Sequence, residues 1–327
     1  MKKQMIICLM GILYAFPITL QAKYAVPEEV GVVSVNGIQL AYEIFGSREE
    51  PILLISGVGS QLTDWPVEFC EALVGKGYRV IRFDNRDVGL SSKLESLGTP
   101  NWGAIIPKIK TCDMSTLQYT ISDMAGDAIG LLDALKLPKA HIVGVSMGGA
   151  IAQTIAIEYP ERTLSLTSIA ASSGNPDLPQ GNPEVLSVMA TPPPVTTNRE
   201  EQSLYLFKIY WAMKGRMYSD PDSILMKMAR RNVERAWYPE GTARQAAAII
   251  IADNCDRREK LKHIRIPVVV IHGEDDPVVN IAAGREVAST IPGAKLITIP
   301  GMGHEFPHSL IPKIAEGILI AARLNKQ

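Results

Sequence analysis

Three short stretches carry the residue types of a nucleophile, an acid and a base. GVSMG holds Ser146 between Gly144 and Gly148, HGEDD ends on Asp276, and GMGH ends on His304. A serine hydroxyl is a poor nucleophile at neutral pH and needs an adjacent base, which in turn needs an acid to hold its tautomer. His304 follows Gly301 and Gly303, which let its loop fold back over the chain, and it is read as the base. His308 is the weaker alternative, and His141 lies in an apolar run and is read as packed. Asp276, directly before Pro277, is read as the acid, with Asp275 as runner-up and Glu274 and Asp275 otherwise solvated. This set permits acyl transfer.

Such a reaction also needs donors for a developing oxyanion. Ser146 follows an apolar run and precedes a helical pattern, so the chain turns sharply there and its flanking residues must be small. The helix start then offers the Met147 amide. A second donor is expected from SGVGSQ, where Gly57 and Gly59 let the backbone turn inward and present the Val58 amide. Gly57, Ser60, Gln61 and Trp211 are the candidate substrate-binding residues.

These loops are expected at the ends of strands. GVVSVNGIQLAYEIFG alternates around Asn36-Gly37 and reads as a hairpin. PILLIS, YRVIRFD, KAHIVGV, TLSLTSIAAS, IPVVVIHG and AKLITIP read as buried strands. Helical patterns fall at 64–77, 116–137, 147–159, 281–289 and in the last stretch of the chain, and an excursion from the fourth strand to about Ser115 has no pattern of its own. Strands alternating with helices predict an α/β fold, a mainly parallel sheet of about eight strands covered on both faces. From Ser173 to Lys262 the alternation stops. Prolines and then aromatic helical stretches, including Tyr205, Phe207, Tyr210, Trp211, Tyr218, Trp237 and Tyr238, predict a helical cap inserted after strand 6. The expected organisation is a leader at 1–22, core at 23–172, cap at 173–262 and core at 263–327.

The chain has 327 residues, 46% of them hydrophobic, and a formal net charge of −1. That size buries a large core, and the charge offers no basic surface for nucleic acid. MKKQMIICLMGILYAFPITLQA opens with two lysines and an apolar run and reads as a secretory signal cleaved after Ala22, so the protein is expected to be exported, periplasmic or secreted, with no membrane span afterwards. Cys70, Cys112 and Cys255 remain, too few and too scattered for a disulfide framework. They are expected as buried thiols, with one pair able to form in an oxidising compartment. No metal-ligand spacing is present, and no metal or organic cofactor is expected.

The motifs SGVG, GVSMG, HGEDD and GH, in that order, resemble the α/β-hydrolase superfamily from about Val30 to Leu324. Two departures stand out. Ser56-Gly57 replaces a common His-Gly, and Asp87 in FDNRDVGLS replaces a common glycine. FDNRDVGLS, QLTDWPVEFCEAL, GVSMGGAIAQ and LPQGNPEVL are similar to the aclacinomycin methylesterase-like branch. The resemblance implies a carboxylic ester hydrolase, with a methyl ester among its substrates. The aromatic insertion suggests a small-to-medium apolar ester as the small-molecule partner. A thioesterase, lipase or perhydrolase would share the machinery, and a binding protein of the same fold that lost catalysis is the reading from outside enzymology. Oligomeric state is open.

Overall fold

Asn36 and Gly37 both adopt positive φ, 49° and 78°, the hand that matches strand twist in a tight hairpin. They join β1 (Glu29–Val35) to β2 (Ile38–Phe45) as antiparallel neighbours, with Val35 opposite Ile38. The computed structural model describes residues 26–324, so the leader expected at 1–22 lies outside the described residues. The other strands are β3 (Pro51–Ile55), β4 (Arg79–Phe83), β5 (Ala140–Val145), β6 (Thr163–Ile169), β7 (Val268–Gly273) and β8 (Lys295–Ile299). They form one eight-stranded sheet in the order β1-β2-β4-β3-β5-β6-β7-β8, parallel from β4 onward. All of β3 and β7 is buried, as strands covered on both faces must be.

The helices, in chain order, are α1 (Val67–Val74), α2 (Trp102–Ile105), α3 (Ile121–Ala134), α4 (Met147–Glu158), α5 (Pro183–Met189), α6 (Arg199–Ala212), α7 (Asp222–Arg235), α8 (Pro239–Ala252), α9 (Arg258–Leu261), α10 (Ile281–Thr290) and α11 (Ile311–Leu324). Helices α3, α4 and α10 cover one face of the sheet, through Met124, Leu131, Ile151, Ile155 and Val287. Helices α1 and α11 cover the other, through Phe69, Leu73, Ile314, Ile318 and Leu319. Helix α3 starts later than the periodicity suggests because Thr120 and Asp123 form a capping box: the Thr120 hydroxyl accepts the Asp123 amide while the Asp123 carboxylate accepts the Thr120 amide.

After β3 the chain crosses to β4 on one side and then returns to β5 on the other. The C-terminal ends of β3 and β5 therefore flank the point where the winding reverses, the place where sheets of this type leave a crevice. Between β6 and β7 the chain forms the five helices α5–α9.

That helical block is tied down by buried polar groups. Arg244 of α8 makes a bidentate pair with Asp87, both bonds 2.8 Å, with side chains 1% and 0% exposed. Arg235 reaches Asp84 at 2.7 Å, and Asn232 donates to Asp64 at 2.7 Å. FDNRDVGLS is thus a staple. Asp84 accepts the Leu62 and Leu90 amides, Asn85 donates to the Ser56 carbonyl, Arg86 pairs with Asp127 of α3, and Asp87 holds Arg244. Asp87 takes φ 72°, a conformation more natural to glycine. The bond to Arg244 explains why a carboxylate stands there. Burial alone would raise the Asp87 pKa, but the Arg244 guanidinium and the Leu94 amide hold it below the usual carboxylate range.

One expectation is corrected. Cys112 and Cys255 form a disulfide across 143 residues rather than standing as thiols, and among the described residues Cys70 is free and buried. Ile105 of α2 packs with Ala247 and Ile251 of α8, which brings Cys112 beside the end of α8, a proximity no spacing rule reveals. Among the described residues, no helix is long and apolar enough to cross a membrane, and no group of three acidic, His or Cys side chains is placed to hold a metal ion.

Candidate active site

The turn from β5 into α4 is forced by its glycines. A Cβ at Gly144 would lie 1.9 Å from the Gly148 carbonyl oxygen, and one at Gly148 would lie 2.1 Å from the Ile55 carbonyl oxygen. Between them Ser146 is held at φ 56°, ψ −123°, a strained state for a residue with a side chain. The Ser146 amide is used, donating to the Ile169 carbonyl at 2.9 Å. Met147 is the first residue of α4, so its amide has no acceptor within the helix. Gly57 lies against the serine: a Cβ there would be 3.3 Å from Ser146 Cβ and 3.7 Å from its Oγ. The Gly57–Val58 peptide and the start of α4 thus flank one hydroxyl.

Asp276 and His304 meet on the same C-terminal edge of the sheet, in the loops after β7 and β8. His304 Nδ1 and Asp276 Oδ2 are 2.8 Å apart. The other Asp276 oxygen accepts the Val278 and Val279 amides, both at 2.9 Å. Burial would raise the Asp276 pKa, but His304 and His272 beside it hold the carboxyl well below its usual range. An ionised Asp276 keeps the proton of His304 on Nδ1 and leaves Nε2 as the lone pair. The runner-up acid is engaged elsewhere, since Asp275 pairs with Arg216 through two 2.6 Å bonds. Glu274 accepts the Thr298 hydroxyl. The weaker base, His308, pairs with Asp220 at 2.7 Å. Among the described residues Ser146 Oγ makes no hydrogen bond, so the structure joins His304 to Asp276 and leaves the serine unbonded on the same edge.

One substrate-binding expectation is corrected. Gln61 is buried with its amide fully used, donating to the Asn232 and Ala236 carbonyls and accepting from Arg235, so it fastens α7 rather than facing a ligand. Trp211 is 55% exposed on α6, with the Lys214 ammonium 5.9 Å from its ring. Ser60 is half-buried and closes the loop by donating its amide to the Gly57 carbonyl. Several aromatics of the insertion serve the insertion itself. Tyr205 packs edge-on against Trp237, Tyr210 accepts from Asn232, and Tyr238 accepts from Arg244.

Other residues near these loops gave no sequence signal. Gln245 of α8 accepts the Gly59 amide. Asp253 ends α8, and burial pushes its carboxyl up to about 6 against the pull of Arg257 and His304. Glu305, beside His304 in the chain, is pushed up to about 7 by burial, although it accepts the Gly215 amide. Gln245 and Asp253 lie in an amphipathic helical stretch where polar residues normally face water. The Asp87 departure was visible in sequence, but its partner Arg244 was not.

The comparisons with known proteins agree with this fold. The family model described as alpha/beta hydrolase fold matches residues 50–308. The rhodomycin D methylesterases DnrP of Streptomyces peucetius and DauP of Streptomyces sp. strain C5 are 29% and 30% identical over 295 residues, covering 84% of this chain and 91% of each relative. The enol-lactonase of Burkholderia xenovorans LB400 superimposes with a TM-score of 0.64 at 24% identity, over 91% of this chain and all of that one, and speaks to the fold alone. With its eight-stranded sheet, its strained serine turn and a family match across most of its length, the chain belongs to the α/β hydrolase fold family.

Proposed function

We propose that this protein hydrolyses a carboxylic ester through an acyl-serine intermediate. The observation that carries the reading is the His304–Asp276 hydrogen bond on the same sheet edge as Ser146, a serine strained at a helix start. Ser146 Oγ attacks the ester carbonyl as His304 Nε2 takes its proton. The carbonyl oxygen becomes an oxyanion and is met by the Val58 and Met147 amides. Collapse expels the alcohol, which receives the proton from His304. Water, deprotonated by the same imidazole, then releases the acid and restores the serine. Asp276 stabilises the imidazolium in both steps. The family likeness to rhodomycin D methylesterases supports a methyl ester as the bond cleaved.

The test is a panel of methyl and nitrophenyl esters of rising acyl length, assayed with wild type and Ser146→Ala side by side. Turnover that disappears in the variant supports the reading, and the length optimum sizes the pocket. Equal turnover in both proteins overturns it.

We further propose that the protein works outside the reducing cytoplasm. The Cys112–Cys255 disulfide supports this, since such bonds persist in oxidising compartments, as does the lysine-led apolar start of the chain. Sequencing the N-terminus of the mature protein after fractionation tests it. A start at Met1 in a cytoplasmic fraction would sink the proposal.

A further inference from the structure

We propose that Gln245, on the inserted helix α8, is a positioning residue for the oxyanion loop: it holds the Gly59 amide and thereby keeps the neighbouring Val58 N–H aimed at the reacting carbonyl. The inference rests on the serine-hydrolase reading above. Gln245 is 0% exposed. Its Oε1 accepts the Gly59 amide at 2.8 Å, and its Nε2 donates to the Arg86 carbonyl at 2.7 Å. These partners settle which end of the side-chain amide is which, because a backbone N–H can only donate and a carbonyl can only accept. The side chain therefore bridges the loop after β3 and the loop after β4, and neither of these two hydrogen bonds goes to Ser146 or His304.

The held segment is permissive backbone. Gly57 and Gly59 flank Val58, and Gly59 sits at φ 69°. Without an outside constraint such a segment samples many conformations. Helix α8 constrains it twice from one face, with Thr242 one turn before Gln245. Thr242 Cγ2 would lie 2.9 Å from a Cβ built on Gly59. The helix is itself locked to the core by the buried Arg244–Asp87 pair. The placement of the inserted block is thereby transmitted to the oxyanion donor. A small misplacement of that donor is costly, because it weakens contacts that form only in the transition state.

The experiment compares wild type, Gln245→Met, Gln245→Glu and Ser146→Ala on a nitrophenyl ester, alongside binding of a trifluoromethyl ketone with the same acyl group. That ketone forms a tetrahedral adduct on a serine and so reads the oxyanion contacts directly. Gln245→Met keeps the volume and loses both hydrogen bonds. It should lower kcat about 10- to 100-fold with KM changed by less than about twofold, and weaken the ketone by the same factor as kcat/KM. Gln245→Glu keeps an acceptor for Gly59 and should recover part of the loss. A folded Gln245→Met with wild-type kcat, a defect in KM alone, or a lost kcat with unchanged ketone binding would each overturn the inference. If Gln245→Met does not fold, Gln245→Glu decides. Parallel losses in kcat and ketone affinity support the role, and a kcat loss without a ketone loss refutes it. Ser146→Ala with wild-type turnover overturns the serine reading itself. An inactive Ser146→Ala beside a wild-type-like Gln245→Met overturns this inference alone.

Discussion

Two arrangements of a serine, a histidine and a carboxylate stand at opposite edges of one sheet among the described residues. At the C-terminal edge stand Ser146, His304 and Asp276. At the N-terminal edge His141 lies 2.8 Å from Ser165 Oγ through Nδ1 and 2.9 Å from Glu50 Oε1 through Nε2. By side-chain hydrogen bonds alone the second set is the more complete. It nevertheless lacks what a nucleophile requires. Ser165 is 1% exposed and His141 0% exposed, so no ester can approach. Ser165 sits within β6, paired opposite His141 just past a register shift, not at a helix start. Ser146 is instead a strained, half-buried residue at a helix start. The N-terminal set satisfies buried polar groups and ties strands together. The C-terminal set keeps a lone pair and a hydroxyl available. Residue types and contacts are necessary for this chemistry, and the location in the fold decides whether they perform it.

The strongest way to break this comparison is to remove each serine. Ser146→Ala should lose about 10⁴- to 10⁶-fold in kcat with an unchanged melting temperature. Ser165→Ala should keep its kcat/KM and lose about 1–3 kcal/mol of stability in urea titration, because it removes a buried hydrogen bond between β5 and β6. Catalytic loss in the second variant would mean that the two edges are not separate.

The carboxylates offer the next test. Asp276→Asn should lower kcat by about 10⁴-fold, since an amide no longer holds the right tautomer of His304. Glu50→Gln should leave kcat unchanged and register only in the melting curve.

A third comparison uses an ion pair that belongs to neither set. Arg244→Met strands the Asp87 carboxylate in the interior and should cost about 3–5 kcal/mol. Asp87 has a lowered pKa in the folded protein, so the stability it contributes is present above the ordinary carboxylate range and is lost as pH falls through the folded value. The gap between wild type and variant should therefore be widest near neutrality and narrow in acid, as read by denaturant titration across pH.

The smallest effect concerns Glu305, a carboxylate at the active edge with one buried oxygen unpartnered. Burial raises it to about 7. An acid that holds its proton more tightly when folded loses stability as pH rises from its unfolded value through the folded one. Glu305→Gln should thus raise the melting temperature more above that value than in mild acid. An equal gain at both ends would show that its ionisation is not the cause.

The strand–turn–helix around Ser146 was legible because it is local. Apolar runs define the strands, and the two glycines are required within five residues of chain. The eight strands were legible for the same reason, as were Asp276 and His304 as residues at strand ends. Gln61 was misread because a loop glutamine looks alike in sequence whether it meets ligand, protein or water. Only packing shows that Gln61 fastens α7 and that Trp211 faces solvent.

Sequence by itself determined the elements, their order and the residue types at strand ends, since periodicity, glycine sterics and chain order act over a few residues. Tertiary structure decided what depends on contacts between distant segments. It chose Asp276 over Asp275 as the partner of His304, by turning Asp275 toward Arg216. It joined Cys112 to Cys255, gave Asp87 its arginine and brought Gln245 to Gly59. Those pairings follow from how helices pack over a sheet, and no local rule encodes them, because each partner reads as an ordinary polar residue until burial leaves it one place to bond.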